Sequence, residues 1–171
     1  MDIFQRFELI KRNTQEIITE EELMELLKTK KNPSVYLGTS VTGRPHIGYF
    51  AWVQKLADLL KAGFKVKVLL ADIHGALDNT PWDLLEKRYK YYSIVIPAMI
   101  EAMGGDLKNF ELVKGSDFQL DKKYVLDVLK MSTFTSVRDC TKAASEVVKM
   151  GDNPKLSGLV YPIMQAIDEV Y

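Results

Sequence analysis

Cysteine is almost missing from this sequence: a single Cys140 in 171 residues. It cannot close an internal disulfide, which excludes a disulfide-stapled secreted scaffold and leads us to expect a reducing compartment. Histidine is nearly as scarce, with two residues, His46 and His74. With so few soft or imidazole ligands, no zinc-type cluster is visible and no protein-bound metal is expected. No apolar run approaches the ~20 residues that span a bilayer, and no secretory leader pattern opens the chain. A cytoplasmic protein without a membrane partner is therefore expected. Neither sign of charge prevails, since Lys plus Arg and Asp plus Glu both number 23. No global basic field marks a nucleic-acid partner; if RNA binds, the basic surface is local or lies on further sequence. Internal repeats and low-complexity stretches are absent.

What is present is an ordinary balance for a folded chain, 47% hydrophobic and 27% charged, enough for one compact domain with a core. The first thirty residues read as helix, with Thr19-Glu20-Glu21-Glu22 as a capping box before Leu23, Leu26 and Leu27. Asn32-Pro33 breaks it, and residues 34–38 (SVYLG) form a short buried strand. A loop over 39–45 leads to a helix over about 46–62, closed by Gly63 as a left-handed cap. Residues 65–71 (KVKVLLA) are the second strand and 72–79 a loop. Pro81 opens a long helix to about 103, stopped by Gly104-Gly105. Residues 110–114 (FELVK) are the third strand, followed by a Gly-Ser-Asp turn. Helices then occupy about 122–131 and 136–150, with punctuation at 151–154. Ser157 caps a last helix running through Tyr171 without a stop signal, so more chain is expected beyond it. Strands alternating with helices of this length predict an α/β fold with a parallel sheet.

The passage from strand SVYLG through TSVTGRP into a helix has the geometry of a nucleotide site. Ligands of open parallel sheets sit beyond the carboxyl ends of strands, where a helix N-terminus offers N–H groups to an anion. Gly38 and Gly43 permit close backbone approach, Gly48 leaves room for a flat ring, and His46 can reach a phosphate oxygen. On these residues alone the loop is equally a plain turn. It is neither a Walker loop nor G-x-G-x-x-G.

Gly38-Thr39 with Thr42-Gly43-Arg44-Pro45-His46-Ile47-Gly48-Tyr49-Phe50 resembles the first signature of class I aminoacyl-tRNA synthetases, His-Ile-Gly-His. Tyr49 replaces the second histidine, as it can in archaeal and eukaryotic tyrosyl enzymes. Further blocks of the tyrosyl branch follow in order: Ala57 to Gly63, Leu69 to His74, Leu77-Asp78-Asn79, Tyr91-Tyr92, Gly115 to Leu120 and Ser157 to Pro162. The resemblance implies a Rossmann-like parallel sheet flanked by helices, the first half of that nucleotide-binding fold. It also implies a helical insertion at about 116–152 that packs a homodimer. Residues 1–171 would be the N-terminal part of the catalytic domain, with the second signature and the anticodon-binding domain absent.

Tyr161, Gln165 and Asp168 stand at i, i+4 and i+7 of the last helix, on one face. Beside them runs a core stripe of Leu156, Val160, Ile163, Ile167 and Val170, with Pro162 tolerated near the helix start. Such a face is either solvated or reads a small polar ligand. The resemblance implies the second: Tyr161 and Gln165 hold the α-amino group of tyrosine, while Tyr36 and Asp168 meet its phenolic hydroxyl. By the same token Asp72 and His74 line the pocket. Gly38, Thr39, His46, Gly48 and Tyr49 meet ATP and its phosphates, His46 being the catalytic residue. From its position alone, His74 is equally a loop histidine bonding backbone.

Lys130-Met131-Ser132-Thr133 superficially matches the second class I signature, Lys-Met-Ser-Lys-Ser. It lies in a helical pattern ahead of the pocket helix, where that signature does not belong. The implied activity is ATP-dependent formation of tyrosyl-adenylate, with Mg2+ carried by ATP, then transfer to tRNA(Tyr). Two rivals stand beside it. A tryptophanyl enzyme is disfavoured by Asp168 together with Tyr36, because indole presents only an N–H donor and no hydroxyl. A non-catalytic fragment that binds tyrosine or a partner is the other.

Overall fold

A computed structural model describes residues 1–147, 153 and 155–171. Three parallel strands, flanked by helices, form one sheet in the order β1-β2-β3. They are β1 (Ser34–Ser40), β2 (Lys65–Ala71) and β3 (Phe110–Lys114). The second and third match their expected bounds, and the first runs two residues longer. Central β2 is buried from Val68 onward, whereas β1 alternates, with Ser34, Tyr36 and Gly38 exposed. β1 was expected to be buried; as an edge strand it has one face uncovered.

The chain forms two compact units, one of residues 1–38, 45–69 and 91–113, the other of 39–44, 70–90 and 114–171. In the first, the expected single N-terminal helix is two, α1 (Ile3–Lys11) and α2 (Glu20–Thr29). Asn13 breaks them apart with a left-handed φ of 57°. A capping box does form, but at Asp2 and Gln5 of α1. Thr19 makes no side-chain cap, and Glu20 to Glu22 meet the positive end of α2 as charges instead.

Helix α3 (Tyr49–Lys61) ends at Gly63, which has the expected left-handed φ of 86°. α1 and α3 clasp one another through basic side chains on carbonyls and on one carboxylate. Arg6 Nε donates to the Ala62 carbonyl at 2.7 Å, and Lys55 Nζ to those of Ile10, at 2.8 Å, and Arg12. Arg12 pairs with the fully buried Asp58 through two nitrogens, at 2.5 and 3.0 Å. Burial works against the Asp58 charge. Bonds from Arg12 and Gln54 and the charges of Arg12 and Lys55 outweigh it, holding the carboxyl below its ordinary range.

In the second unit, the loop expected over 72–79 is mostly a short helix, α4 (Asp72–Leu77). Gly75 inside it concealed the pattern; a Cβ there would stand 3.3 Å from Val41 Cγ2, so glycine lets α4 pack closely. α5 (Trp82–Ala102) follows as expected, shared between the two units. The Gly-Ser-Asp turn is one helical turn, α6 (Ser116–Gln119), before α7 (Lys122–Phe134), α8 (Val137–Val147) and α9 (Leu156–Asp168). The punctuation expected at 151–154 and the last residues of the helix expected to 150 lie, Asn153 apart, outside the described residues.

Helix α9 departs from its expected limits at both ends. Its N-cap is Lys155, not Ser157, and it stops at Asp168, short of Tyr171. Leu156 and Val170, expected in the core stripe, are 74% and 80% exposed. They sit at the first helical residue and beyond the last, and Met164 joins Ile167 in the core instead. Pro162 lies in the helix interior.

Candidate functional site

In the first unit, the turn before α3 is built around His46. The helix begins at Tyr49, three residues later than expected, because Ile47 and Gly48 form a turn. The Tyr49 N–H donates to the His46 carbonyl at 2.8 Å, and the Gly48 N–H donates to His46 Nδ1 at 3.1 Å. The Gly48 N–H, expected to face a phosphate, thus serves the histidine. A neutral ring whose Nδ1 accepts carries its proton on Nε2, a donor suited to a phosphate oxygen. His46 itself is exposed. Tyr49 packs edge-on to it, ring centroids 5.2 Å apart, and its hydroxyl lies 2.8 Å from that of buried Tyr92. Tyr49 thus holds the turn against the core with the hydroxyl that a second histidine would lack. On β1, Tyr36 reaches over Gly38: a Cβ at residue 38 would stand 2.8 Å from its hydroxyl.

In the second unit, Arg88 of α5 gathers the start of the glycine-bearing loop. Its Nη1 donates to the carbonyls of Val41, at 3.3 Å, and Thr42, and to Thr80 Oγ1 at 3.0 Å. Thr39, earlier on that segment, is half-buried.

The same unit holds a buried polar cluster. Asp168, 5% exposed, closes α9, and its Oδ1 accepts from Gln119 Nε2 at 2.8 Å and the Tyr124 hydroxyl at 2.7 Å. Oδ2 accepts from Gln119 Nε2 at 3.0 Å and lies 3.7 Å from His74 Nδ1. His74 stands edge-on to Tyr161, centroids 4.5 Å apart. Burial lowers the His74 pKa, opposed by the Asp168 carboxylate, so the ring is held neutral. The Tyr161 hydroxyl meets Ser40 Oγ at 2.8 Å; burial raises its pKa, with Asp78 and Asp168 adding to the effect and Ser40 opposing it. Asp72 is buried and accepts from the Ser116 N–H at 2.8 Å.

The structure therefore brings Asp168, His74 and Tyr161 together and leaves Gln165, on the same helix, exposed. Sequence reasoning missed Ser40, Arg88, Gln119 and Tyr124 as members of these arrangements. Gln119 was visible only inside the block Gly115 to Leu120 that carried the family resemblance. Residues 130–133 lie within α7, where Ser132 and Thr133 bond back to the carbonyls of Leu129 and Lys130. They are helix, as expected of a chance match.

One unit thus holds a cluster of a carboxylate, an imidazole and phenols, and the other a His-Ile-Gly turn. The sequence model described as tRNA synthetases class I (W and Y) matches residues 28–171. The chain belongs to this family. Among its relatives, the cytoplasmic tyrosine–tRNA ligase of Danio rerio is 50% identical over 169 residues, 98% of this chain and 32% of the relative. The tyrosine–tRNA ligase of Haloarcula marismortui is 45% identical, covering 98% of this chain and 49% of its own length. The chain thus spans about a third to a half of the length of the curated relatives it matches. The crystal structure of tyrosyl-tRNA synthetase from Archaeoglobus fulgidus, complexed with L-tyrosine, superposes with a TM-score of 0.87 at 39% identity. The match covers 98% of this chain and 51% of that one.

Proposed function

We infer that the chain is the N-terminal catalytic part of a tyrosine–tRNA ligase. Such an enzyme activates tyrosine with ATP and transfers it to tRNA(Tyr). The observation that supports this most is the Asp168 carboxylate. Of its roughly four lone-pair sites, Gln119 and Tyr124 use three. One site on Oδ2 is left to accept a phenolic O–H. Phenylalanine would leave it buried and unpaired, a cost of about 1–3 kcal/mol, more for a charged group. Indole presents only an N–H, which can donate to Oδ2 but has no oxygen for a second contact to bond. Tyr36 is the second proposed contact of the phenol; Tyr161 and Gln165 are proposed for the α-amino group, and Asp72 and His74 for the wall.

His46 is the proposed catalytic residue. The tyrosine carboxylate attacks the α-phosphate of ATP and pyrophosphate leaves with Mg2+, which ATP brings. Nothing in this step needs a protein nucleophile. Catalysis is positioning plus stabilisation of charge growing on phosphate oxygens, for which an Nε2–H donor held by its own turn is suited. Gly38, Thr39, Gly48 and Tyr49 belong to the same proposed ATP segment. Gly38 and Thr39 lie in the last residues of β1, before Ser40, and Gly48 and Tyr49 support His46. We place the enzyme in the cytoplasm. Relatives carry that word in their names, and no helix of the described residues is long and apolar enough to cross a membrane. A second copy is the proposed partner of α7 and α8.

The test is amino-acid-dependent ATP–pyrophosphate exchange. Tyrosine is expected to support it, with phenylalanine and tryptophan at background. Exchange supported by tryptophan as well as by tyrosine would remove the assigned role of Asp168.

A further inference from the structure

The geometry points to Gln119 as a positioning residue: its amide fixes the orientation in which Asp168 tests an amino acid for a hydroxyl. This inference rests on the tyrosine reading and extends it to a residue that need not touch the substrate.

Asp168 alone could rotate about its last bond and present either oxygen to a ligand. The Gln119 amide removes that freedom, since Nε2 reaches Oδ1 at 2.8 Å and Oδ2 at 3.0 Å. The amide is itself fixed. A carboxylate only accepts, so Nε2 must face it, and the second Nε2 hydrogen has His74 Nδ1 at 3.3 Å. Oε1 is thereby turned the other way, buried and without a hydrogen bond among the described residues. It is accommodated by Gly115. A Cβ there would stand 2.6 Å from Gln119 Oε1 and 3.0 Å from Asp72 Oδ1, closer than side chains pack. The Gly115 φ of −58° suits any residue, so the glycine serves space and not backbone conformation. Tyr124, 1% exposed, completes the clamp by donating to Oδ1 and leaves Oδ2 as the oxygen with capacity. An unsatisfied buried carbonyl costs stability. Retaining it is the signature of a residue held for the direction of its N–H groups.

Two substitutions in the protein as its gene encodes it test this, read by pyrophosphate exchange. Gln119→Leu keeps the bulk and removes the donor. The tyrosine KM should rise about tenfold or more, the preference over phenylalanine should narrow, and the KM for ATP should stay unchanged. Gln119→Glu is isosteric and sets a second carboxylate against Asp168; two such groups share one proton. Its tyrosine KM should therefore improve as pH falls, because the shared proton restores a donor, and the parent should show no such improvement. Other titratable groups around Asp168 are His74 and Asp72 of α4, Tyr124 of α7, Tyr161 of α9, and Glu169 and Tyr171 just beyond it. All are present in both proteins, so a differing slope belongs to residue 119. If Gln119→Leu fails to fold, the Glu variant alone decides. Parental selectivity and parental pH slopes in the folded variants would overturn the inference and leave the function standing. A parent with no preference for tyrosine would overturn the functional reading, and the inference with it.

Discussion

A histidine on an exposed turn can stabilise a phosphate only if its ring has one orientation and one tautomer. His46 obtains both from Gly48, whose N–H occupies Nδ1. A Cβ at residue 48 would stand 2.9 Å from His46 Cε1 and 3.1 Å from Nδ1, while the backbone φ of −62° tolerates any residue. Gly48→Ala should therefore displace the ring without harming the fold. We expect the exchange rate to fall about tenfold, the scale of one neutral hydrogen bond. His46→Ala, which removes the donor, should cost roughly 10²–10³. Calorimetry should find tyrosine affinity nearly unchanged in both, because the interaction strengthens only as charge grows in the transition state. Tyrosine affinity falling in step with rate would show that the turn does not serve phosphate. The turn was legible in part, since His46 and Gly48 are neighbours in sequence and the roles proposed for them depend on spacing. Gln119 and Tyr124 were not, because they reach Asp168 from 49 and 44 residues away. No periodicity reports a buried bond between distant polar groups.

Elements were legible where several weak signals agreed. Strands β2 and β3 and the Gly63 cap stand where the alternation and the glycine put them. α4 and α6 were not seen, since six and four residues are too few for a 3.6-residue period to register. The limits of α9 slipped because apolar residues at helix ends look like core. Apolar residues that the fold leaves uncovered carry their own information on α7 and α8. Leu126 and Leu129 are 50% and 59% exposed, Phe134 is 87% and Val137 69%. The same helices, with α9, line a groove of about 180 Å³ at Met131, Cys140, Pro162 and Ile163, among others. Exposed apolar residues grouped this way mark an interaction face. If the partner is a second copy, sedimentation should show a dimer that Leu129→Glu combined with Phe134→Glu converts to monomer. A parent that stays monomeric at the highest soluble concentration would remove the homodimer proposal for α7 and α8.

Balanced charge leaves the whole molecule without strong self-repulsion at neutral pH, so its acid response is governed by a few buried groups. The second unit contains His74, whose pKa burial lowers from an ordinary value of 6.5. The unfolded chain then binds a proton more readily than the folded one. The neutral ring's contribution is complete above about pH 6.5 and is lost as pH falls through the lowered value. The first unit contains Asp58, whose pKa is lowered from 3.8 in the face of burial, chiefly by Arg12. Its contribution is complete above that value and lost as pH falls through a still lower one. Both terms have the same sign, but their windows do not coincide. At about pH 5 the second unit should be weakened while the α1–α3 clasp remains whole. Hydrogen exchange followed by mass spectrometry should therefore show faster exchange in peptides of α4, α6 and α9 at that pH than at neutrality, once intrinsic rates are corrected. Peptides of α1 and α3 should keep their protection until the solution is more acid. His74→Gln, which cannot titrate, should lose the upper step even if its stability at neutral pH is lower. Simultaneous loosening of both sets, or an upper step persisting in His74→Gln, would mean that His74 does not control the acid response.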